Sequence, residues 1–73
     1  MILNYDEALE FATKKHLGQY RVGGKPYITH PIEVAEILRN RKFPLEYQIA
    51  GLFHDLLEDT DATVEEILHY GGP

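Results

Sequence analysis

The sequence predicts an all-α bundle of about four helices, and three observations support this class. Apolar residues recur three or four positions apart along most of the 73 residues, which is the spacing that gives a helix one buried face. Capping-box patterns, in which Asn or Thr is followed three residues later by Glu, stand at Asn4–Glu7 and Thr63–Glu66. No segment shows the competing alternation of apolar and polar residues that is typical of a half-buried strand.

The first two predicted helices flank a glycine-rich loop. The first begins after the Asn4 cap and continues to about His16, and Gly18 ends it. The second opens at His30-Pro31, because proline suits the first helical position, and this leaves His30 at or near the cap, outside the helical ladder. Its polar and basic end, residues 40–42, complements the helix dipole.

The last two predicted helices carry the second half of the chain. The third begins at Pro44 or Leu45 and runs to about Glu58. Gly51 lies in its interior, where glycine costs about 1 kcal/mol relative to alanine, so we expect close packing or room for a ligand there. The fourth begins at the Thr63 capping box and ends at the glycines Gly71 and Gly72.

Composition excludes several classes of function. The formal net charge is −5, from 7 basic and 12 acidic residues, which argues against a general nucleic-acid surface. The absence of cysteine excludes disulfides and thiolate metal sites. No apolar run approaches the roughly 18 residues of a membrane span, and the amino terminus lacks the basic region of a signal peptide. We therefore expect a soluble, cytoplasmic chain.

The polar residues that follow Leu52 and Phe53 are the strongest candidates for a functional site. On a continuous helix His54, Asp55, Glu58 and Asp59 would share one broad face at the edge of the core. If the helix start at His30 converges on this face, imidazole and carboxylate groups together suit manganese, iron or zinc. Glu58 and Asp59 also fit a second interpretation as solvated acids at a helix end, although acids there oppose the helix dipole.

An ordered set of motifs along nearly the whole chain resembles the HD-domain hydrolases of the RelA/SpoT family, which include small stand-alone alarmone hydrolases. The motifs are Phe11-Ala12, His16-x-Gly18-Gln19-x-Arg21-x-x-Gly24-x-Pro26-Tyr27-Ile28-x-His30-Pro31, Val34-Ala35-x-Ile37-Leu38, Ala50-Gly51-x-x-His54-Asp55-x-x-Glu58-Asp59-Thr60 and Thr63-x-x-Glu66-Ile67.

The resemblance implies a helical HD fold and hydrolysis of the 3′-diphosphate of guanosine tetra- or pentaphosphate (ppGpp or pppGpp) with a manganese ion. The products would be pyrophosphate and GDP or GTP. The positions that match the family's functional residues are metal ligands at His30, His54 and Asp55, an acidic pair for water and proton transfer at Glu58 and Asp59, and a base-stacking Arg21. Lys25 is a weaker candidate for a phosphate contact, and His16 and Tyr27 fit packing or supporting hydrogen bonds.

Two departures from the family pattern affect the expected function. Val22 stands where family members often have a basic residue, so a phosphate contact is lost there. The family fold also continues through further helices that supply another Asp ligand, so we expect residues 1–73 to be the N-terminal part of one HD hydrolase domain, an incomplete fold. Two other hypotheses stay open: a non-catalytic helical module that binds metal or a partner, and an HD phosphohydrolase for another nucleotide. Unburied apolar helix faces predict a homo-oligomer.

Overall fold

The computed structural model describes residues 4–71, and the all-α class is confirmed there. These residues form five helical segments and no strand beyond one isolated bridge between Tyr20 and Pro26. The segments are α1 (Tyr5–Lys15), α2 (Thr29–Asn40), α3 (Leu45–Phe53), α4 (Leu56–Asp59) and α5 (Val64–Gly71).

Both predicted capping boxes begin helices. The Asn4 side chain accepts a 3.0 Å hydrogen bond from the amide of Glu7 at the start of α1. At the start of α5 the amide of Glu66 donates to the Thr63 hydroxyl over 3.1 Å, and the Thr63 amide donates to the Glu66 carboxylate over 2.9 Å. Amides that a helix start would leave unpaired are satisfied in this way. Gly72, which the sequence also placed at the end of α5, lies outside the described residues.

The second helix begins earlier than predicted. Thr29 is its first residue, and the amide of His30 donates to the carbonyl of Tyr27 over 3.0 Å. His30 therefore lies in the first turn and is hydrogen-bonded there. The expectation that it stands outside the helical ladder is wrong, because the turn at Pro26–Thr29 already supplies a carbonyl acceptor.

The predicted third helix is divided into α3 and α4 by His54 and Asp55. Asp55 has φ −106° and ψ 0°, outside the helical region and in the sparsely populated region where many active-site residues lie. Nδ1 of His54 is 2.7 Å from the carbonyl oxygen of Gly51, the acceptor that the Asp55 amide would use in a continuous helix. Competition of a side chain for this acceptor is a physical reason for the interruption.

The core forms where α1 and α2 pack against α3. Gly51 permits the close approach of α2, since a Cβ at this position would lie 3.2 Å from Leu38 Cδ1 and 3.2 Å from Val34 Cγ1. The close-packing explanation for Gly51 is therefore confirmed. Phe11 of α1 meets Phe53 edge to face, with ring centroids 5.6 Å apart, and stacks on Tyr70 of α5. The buried apolar residues are Ala8, Phe11, Ala12, Ala35, Ile49, Leu52, Phe53, Leu56 and Ala62.

None of the helices within residues 4–71 has the length and apolar character needed to cross a bilayer. The longest, α2, has 12 residues, whereas a membrane span needs about 20.

Candidate metal centre

Three side chains with metal-ligating atoms converge where the start of α2 meets the junction of α3 and α4. His30 comes from α2, and His54 and Asp55 come from the junction. Asp55 Oδ2 is 3.0 Å from Nε2 of His54 and 4.0 Å from Nε2 of His30. One ligating atom from each residue lies within 4.8 Å of the other two. The structure therefore brings together the three ligands predicted from the sequence.

The hydrogen bond between His54 and Gly51 determines which nitrogen of His54 is available. A backbone carbonyl only accepts, so Nδ1 must carry the proton that it shares with Gly51 over 2.7 Å. In the neutral ring Nε2 then presents a lone pair towards the carboxylate of Asp55 at 3.0 Å. The lone pairs of this nitrogen and of the carboxylate oxygen repel each other unless a proton or a cation lies between them. This donor set fits a divalent cation bound by nitrogen and oxygen.

Tyr27 supports the carboxylate of this cluster. Its hydroxyl donates a 2.6 Å hydrogen bond to Oδ2 of Asp55. This hydrogen bond, together with partial burial and the negative charges of Asp55 and Asp59, raises the pKa of Tyr27 to about 12. Hydrogen bonds of this kind orient ligating carboxylates in metal sites. The supporting role expected for Tyr27 is consistent with this contact.

Glu58 and Asp59 lie outside the three-residue cluster, on the short helix α4. The expectation that they share one continuous helical face with His54 and Asp55 is wrong, because the backbone leaves the helical region at Asp55. Both side chains are exposed. Asp59 is nevertheless close enough for its charge to help raise the pKa of Tyr27, which places it within electrostatic reach of the centre.

Arg21 and Lys25 lie on the loop between α1 and α2. A tight turn closes this loop, since the Arg21 amide donates to the Lys25 carbonyl over 2.7 Å. The Arg21 guanidinium binds the carboxylate of Glu33 and is 3.3 Å from the Thr29 hydroxyl, whereas the Lys25 side chain is exposed. Arg21, Lys25 and Glu33 line a shallow cavity of about 270 Å³.

Two residues of this region were not singled out from the sequence as parts of the site. Glu33 pairs with Arg21, and the Gln19 amide donates to the carbonyl of Asp59. Glu33 lies on an exposed part of α2, and its sequence position is typical of an ordinary solvated acid. Gln19 is part of the family motif in the loop after α1, but no role was assigned to it. Since both contacts depend on how the loop folds back, the local sequence carries no signal for them.

Comparison with known proteins identifies the family. The family model described as HD domain matches residues 8–73. The chain belongs to the HD domain family. The HD-domain resemblance drawn from the motifs is therefore confirmed.

Curated relatives share close to half of their aligned residues with this HD domain. Over 60 residues, 82% of the chain, it is 53% identical to the guanosine-3′,5′-bis(diphosphate) 3′-pyrophosphohydrolase of Aquifex aeolicus. It is 50% identical over 62 residues, 85% of the chain, to the protein of the same name from Borreliella burgdorferi. The bifunctional (p)ppGpp synthase/hydrolase SpoT of Escherichia coli is 46% identical over 61 residues, 84% of the chain. The chain spans 9% of the length of each of these relatives.

Proposed function

We propose that this HD domain contributes the metal-binding part of a phosphohydrolase that removes the 3′-diphosphate of ppGpp or pppGpp. The observation that carries the proposal is the convergence of His30, His54 and Asp55. The relatives named for the hydrolysis of guanosine-3′,5′-bis(diphosphate) support this choice of substrate.

The reaction consumes one water molecule and breaks one phosphorus–oxygen bond. The water oxygen adds to the phosphorus atom attached to O3′ of the ribose, and O3′ leaves with a proton. The products are pyrophosphate and GDP or GTP. A divalent cation, for which we propose Mn²⁺, would supply Lewis-acid activation of a phosphate oxygen and of water when held by His30, His54 and Asp55.

Glu58 and Asp59 provide the carboxylates for proton transfer in this proposal. They follow Asp55 on α4, and both are accessible to solvent and substrate. An exposed carboxylate beside a centre can orient the attacking water and accept its proton. The charge of Asp59 also contributes to the raised pKa of Tyr27, which itself binds Asp55.

Arg21 and Lys25 bind the nucleotide in this proposal. The guanidinium of Arg21 is planar and weakly hydrated, so it can stack on the guanine base. Its contacts with Thr29 and Glu33 hold it at the start of α2, the helix that carries His30. The exposed ammonium of Lys25, on the same cavity wall, is available to phosphate.

Pyrophosphate release tests the proposal directly. The purified chain is incubated with ppGpp and Mn²⁺, and pyrophosphate and bound metal are measured on the same samples. We expect release that is lost in His54→Ala and retained in the matched control His69→Ala, since His69 is exposed on α5 and packs against Tyr70. A wild-type chain that binds no Mn²⁺ contradicts the proposal, whereas bound Mn²⁺ without release would show that residues 1–73 supply the ligands but not turnover by themselves.

A parallel assay on other nucleotides tests the choice of substrate. The same samples are given guanosine and adenosine nucleotides that lack the 3′-diphosphate. Release of phosphate or pyrophosphate from these compounds, with none from ppGpp, would favour an HD phosphohydrolase of different specificity.

Self-association is a further part of the proposal. Leu17, Val22 and Leu57 are apolar side chains that lie largely exposed, with 82%, 108% and 57% relative exposure. Association between copies of the chain would cover such groups. Light scattering over a range of concentrations tests this point, and a monomer at every concentration contradicts it.

A further inference from the structure

Gln19 connects the end of α1 to the end of α4. Its Nε2 donates a 2.7 Å hydrogen bond to the backbone carbonyl of Asp59, 40 residues further along the chain. Its Oε1 lies 2.9 Å from Nδ1 of His16. One amide side chain therefore joins a buried histidine to the residue for which we propose proton transfer.

The direction of these hydrogen bonds follows from the chemistry of the three groups. The carbonyl of Asp59 can only accept, so the amide nitrogen of Gln19 must face it. The amide oxygen then faces His16 and can only accept as well, so Nδ1 of His16 carries the proton. Nε2 of His16 is left as a buried lone pair, and it has no hydrogen-bond partner within residues 4–71.

The surroundings of His16 hold its ring in place. The residue is 2% exposed, and its ring centroid lies 4.9 Å from that of Tyr27. Since Tyr27 also donates to Asp55, the same aromatic ring contacts the histidine that orients Gln19 and a proposed metal ligand. The His16 end of the connection is thus linked to the centre through Tyr27.

The short helix α4 depends on such external contacts. It has four residues, and Asp55 separates it from α3. A helix of one turn has almost no stability of its own, so its contacts with the rest of the fold decide its orientation. Leu56 is buried in the core at its first residue, and Gln19 binds its last residue. Lys15 also binds Asp61 over 3.0 Å and Glu66 over 3.3 Å, but both acids lie beyond the end of α4.

We propose that His16 and Gln19 are positioning residues, which hold the carboxyl-terminal end of α4 so that Glu58 and Asp59 face the metal centre. This inference rests on the proposed hydrolase function for its catalytic consequence. Its structural part, the ordering of α4 through Gln19, stands independently of that function.

Amide hydrogen exchange tests the structural part. The amides of Asp59 and Thr60 close the last turn of α4 by donating to Asp55 and Leu56. In Gln19→Glu the carboxylate can still accept from His16 but cannot donate to Asp59. We expect these two amides to exchange about tenfold faster in the variant. Unchanged exchange overturns the proposal.

Gln48 offers a matched control for this substitution. Its Oε1 accepts from Arg39 over 3.2 Å, and its Nε2 donates to the carbonyl of Phe43 over 3.1 Å, away from α4. Gln48→Glu therefore removes the donor to the Phe43 carbonyl and keeps the acceptor for Arg39, which is the same chemical change at a position away from α4. Equal acceleration at Asp59 and Thr60 in this variant would show a general loss of stability and would overturn the proposal.

Substitutions at His16 test the catalytic part. The side-chain amide of Asn can replace the Nδ1–H donor of histidine, whereas Leu cannot. We expect kcat for pyrophosphate release to fall about 10- to 100-fold in His16→Leu and Gln19→Glu, and to recover substantially in His16→Asn. KM and the affinity for Mn²⁺ should change little. Loss of Mn²⁺ binding in parallel with kcat, or no rescue by Asn in a variant that stays folded, overturns the positioning role.

The tautomer of His16 tests the proposed hydrogen bonds without an activity assay. Nitrogen-15 NMR of the neutral ring distinguishes protonation at Nδ1 from protonation at Nε2, and we expect Nδ1–H in the wild-type chain. A proton on Nε2 would overturn the inferred direction of the hydrogen bond between His16 and Gln19. If the wild-type chain binds no Mn²⁺, the proposed function fails, while the exchange and tautomer measurements still decide whether Gln19 holds α4.

Discussion

The hydroxyl of Tyr27 donates a 2.6 Å hydrogen bond to Oδ2 of Asp55, and this same oxygen lies 3.0 Å from Nε2 of His54. Asp55 is thereby held between a phenol from the loop before α2 and an imidazole from the end of α3. The contact joins residues 28 positions apart and fixes one carboxylate oxygen at the centre of the cluster.

Removal of this hydroxyl should weaken metal binding while leaving the fold intact. In Tyr27→Phe the carboxylate of Asp55 loses the donor that orients it, and such supporting contacts are worth about tenfold or more in metal affinity. Titration calorimetry with Mn²⁺ measures the change. Tyr47→Phe is the control, since Tyr47 is exposed on α3 and packs against Phe43. Equal affinities in the two variants would argue against a supporting role for Tyr27.

The ionisation of Tyr27 should depend on Asp55. The hydrogen bond to Asp55 is the main reason that the pKa of Tyr27 is raised from 10.0 to about 12. Since the folded-state pKa is the higher one, this contribution to stability is complete below about pH 10 and is lost as the pH rises through 12. In Asp55→Asn the carboxylate charge is gone, so we expect the pKa to fall back towards 10.

Carbon-13 NMR of the Tyr27 ring in the presence of a chelator measures this titration. The chelator is needed because a bound cation would itself neutralise Asp55. A midpoint that does not move in Asp55→Asn would show that burial, rather than the hydrogen bond, controls the ionisation.

Substitutions at His54 and at Glu58 should have different effects, the first on metal binding and the second on proton transfer. His54→Ala removes one of three clustered ligands and should abolish Mn²⁺ binding. Glu58→Gln should leave most of the binding intact, because Glu58 lies outside the cluster, but it should reduce pyrophosphate release. Metal analysis after gel filtration compares the two variants. An equal loss of metal would contradict this division of roles.

The contact of α5 with α3 should not tolerate a side chain at Gly71. A Cβ there would overlap Ile49 Cγ2 and would lie 2.6 Å from Phe53 Cε2, and both side chains are buried in the core. We expect Gly71→Ala to lower the free energy of unfolding by about 1–3 kcal/mol in urea denaturation.

Gly51→Ala serves as the comparison for that experiment. Its added Cβ would meet side-chain atoms at 3.2 Å, and alanine gains about 1 kcal/mol of helix propensity in a helix interior. The loss of stability should therefore be smaller than for Gly71→Ala. A Gly71→Ala chain as stable as the wild type would show that α5 moves away from α3 at little cost.

The helix caps and the metal-ligating residues could be predicted because their signals are local or chemical. The Asn4 and Thr63 caps each depend on a partner three residues away, and both occur as expected. The three residues His30, His54 and Asp55 were identified by residue type and by their motif context. Their convergence in space agrees with the prediction, while their role as ligands stays a prediction that metal analysis tests.

The sequence by itself determined the helical class, the capped helix starts at Asn4 and Thr63 and the residue types available to a metal, since helical periodicity and caps involve groups within one or two turns. Tertiary structure alone decided the contacts of Gln19 with Asp59 and of Arg21 with Glu33. The physical reason is that a backbone carbonyl or a carboxylate is bound by whichever donor the packing brings to it. No periodicity in the chain specifies that donor when it lies 12 to 40 residues away.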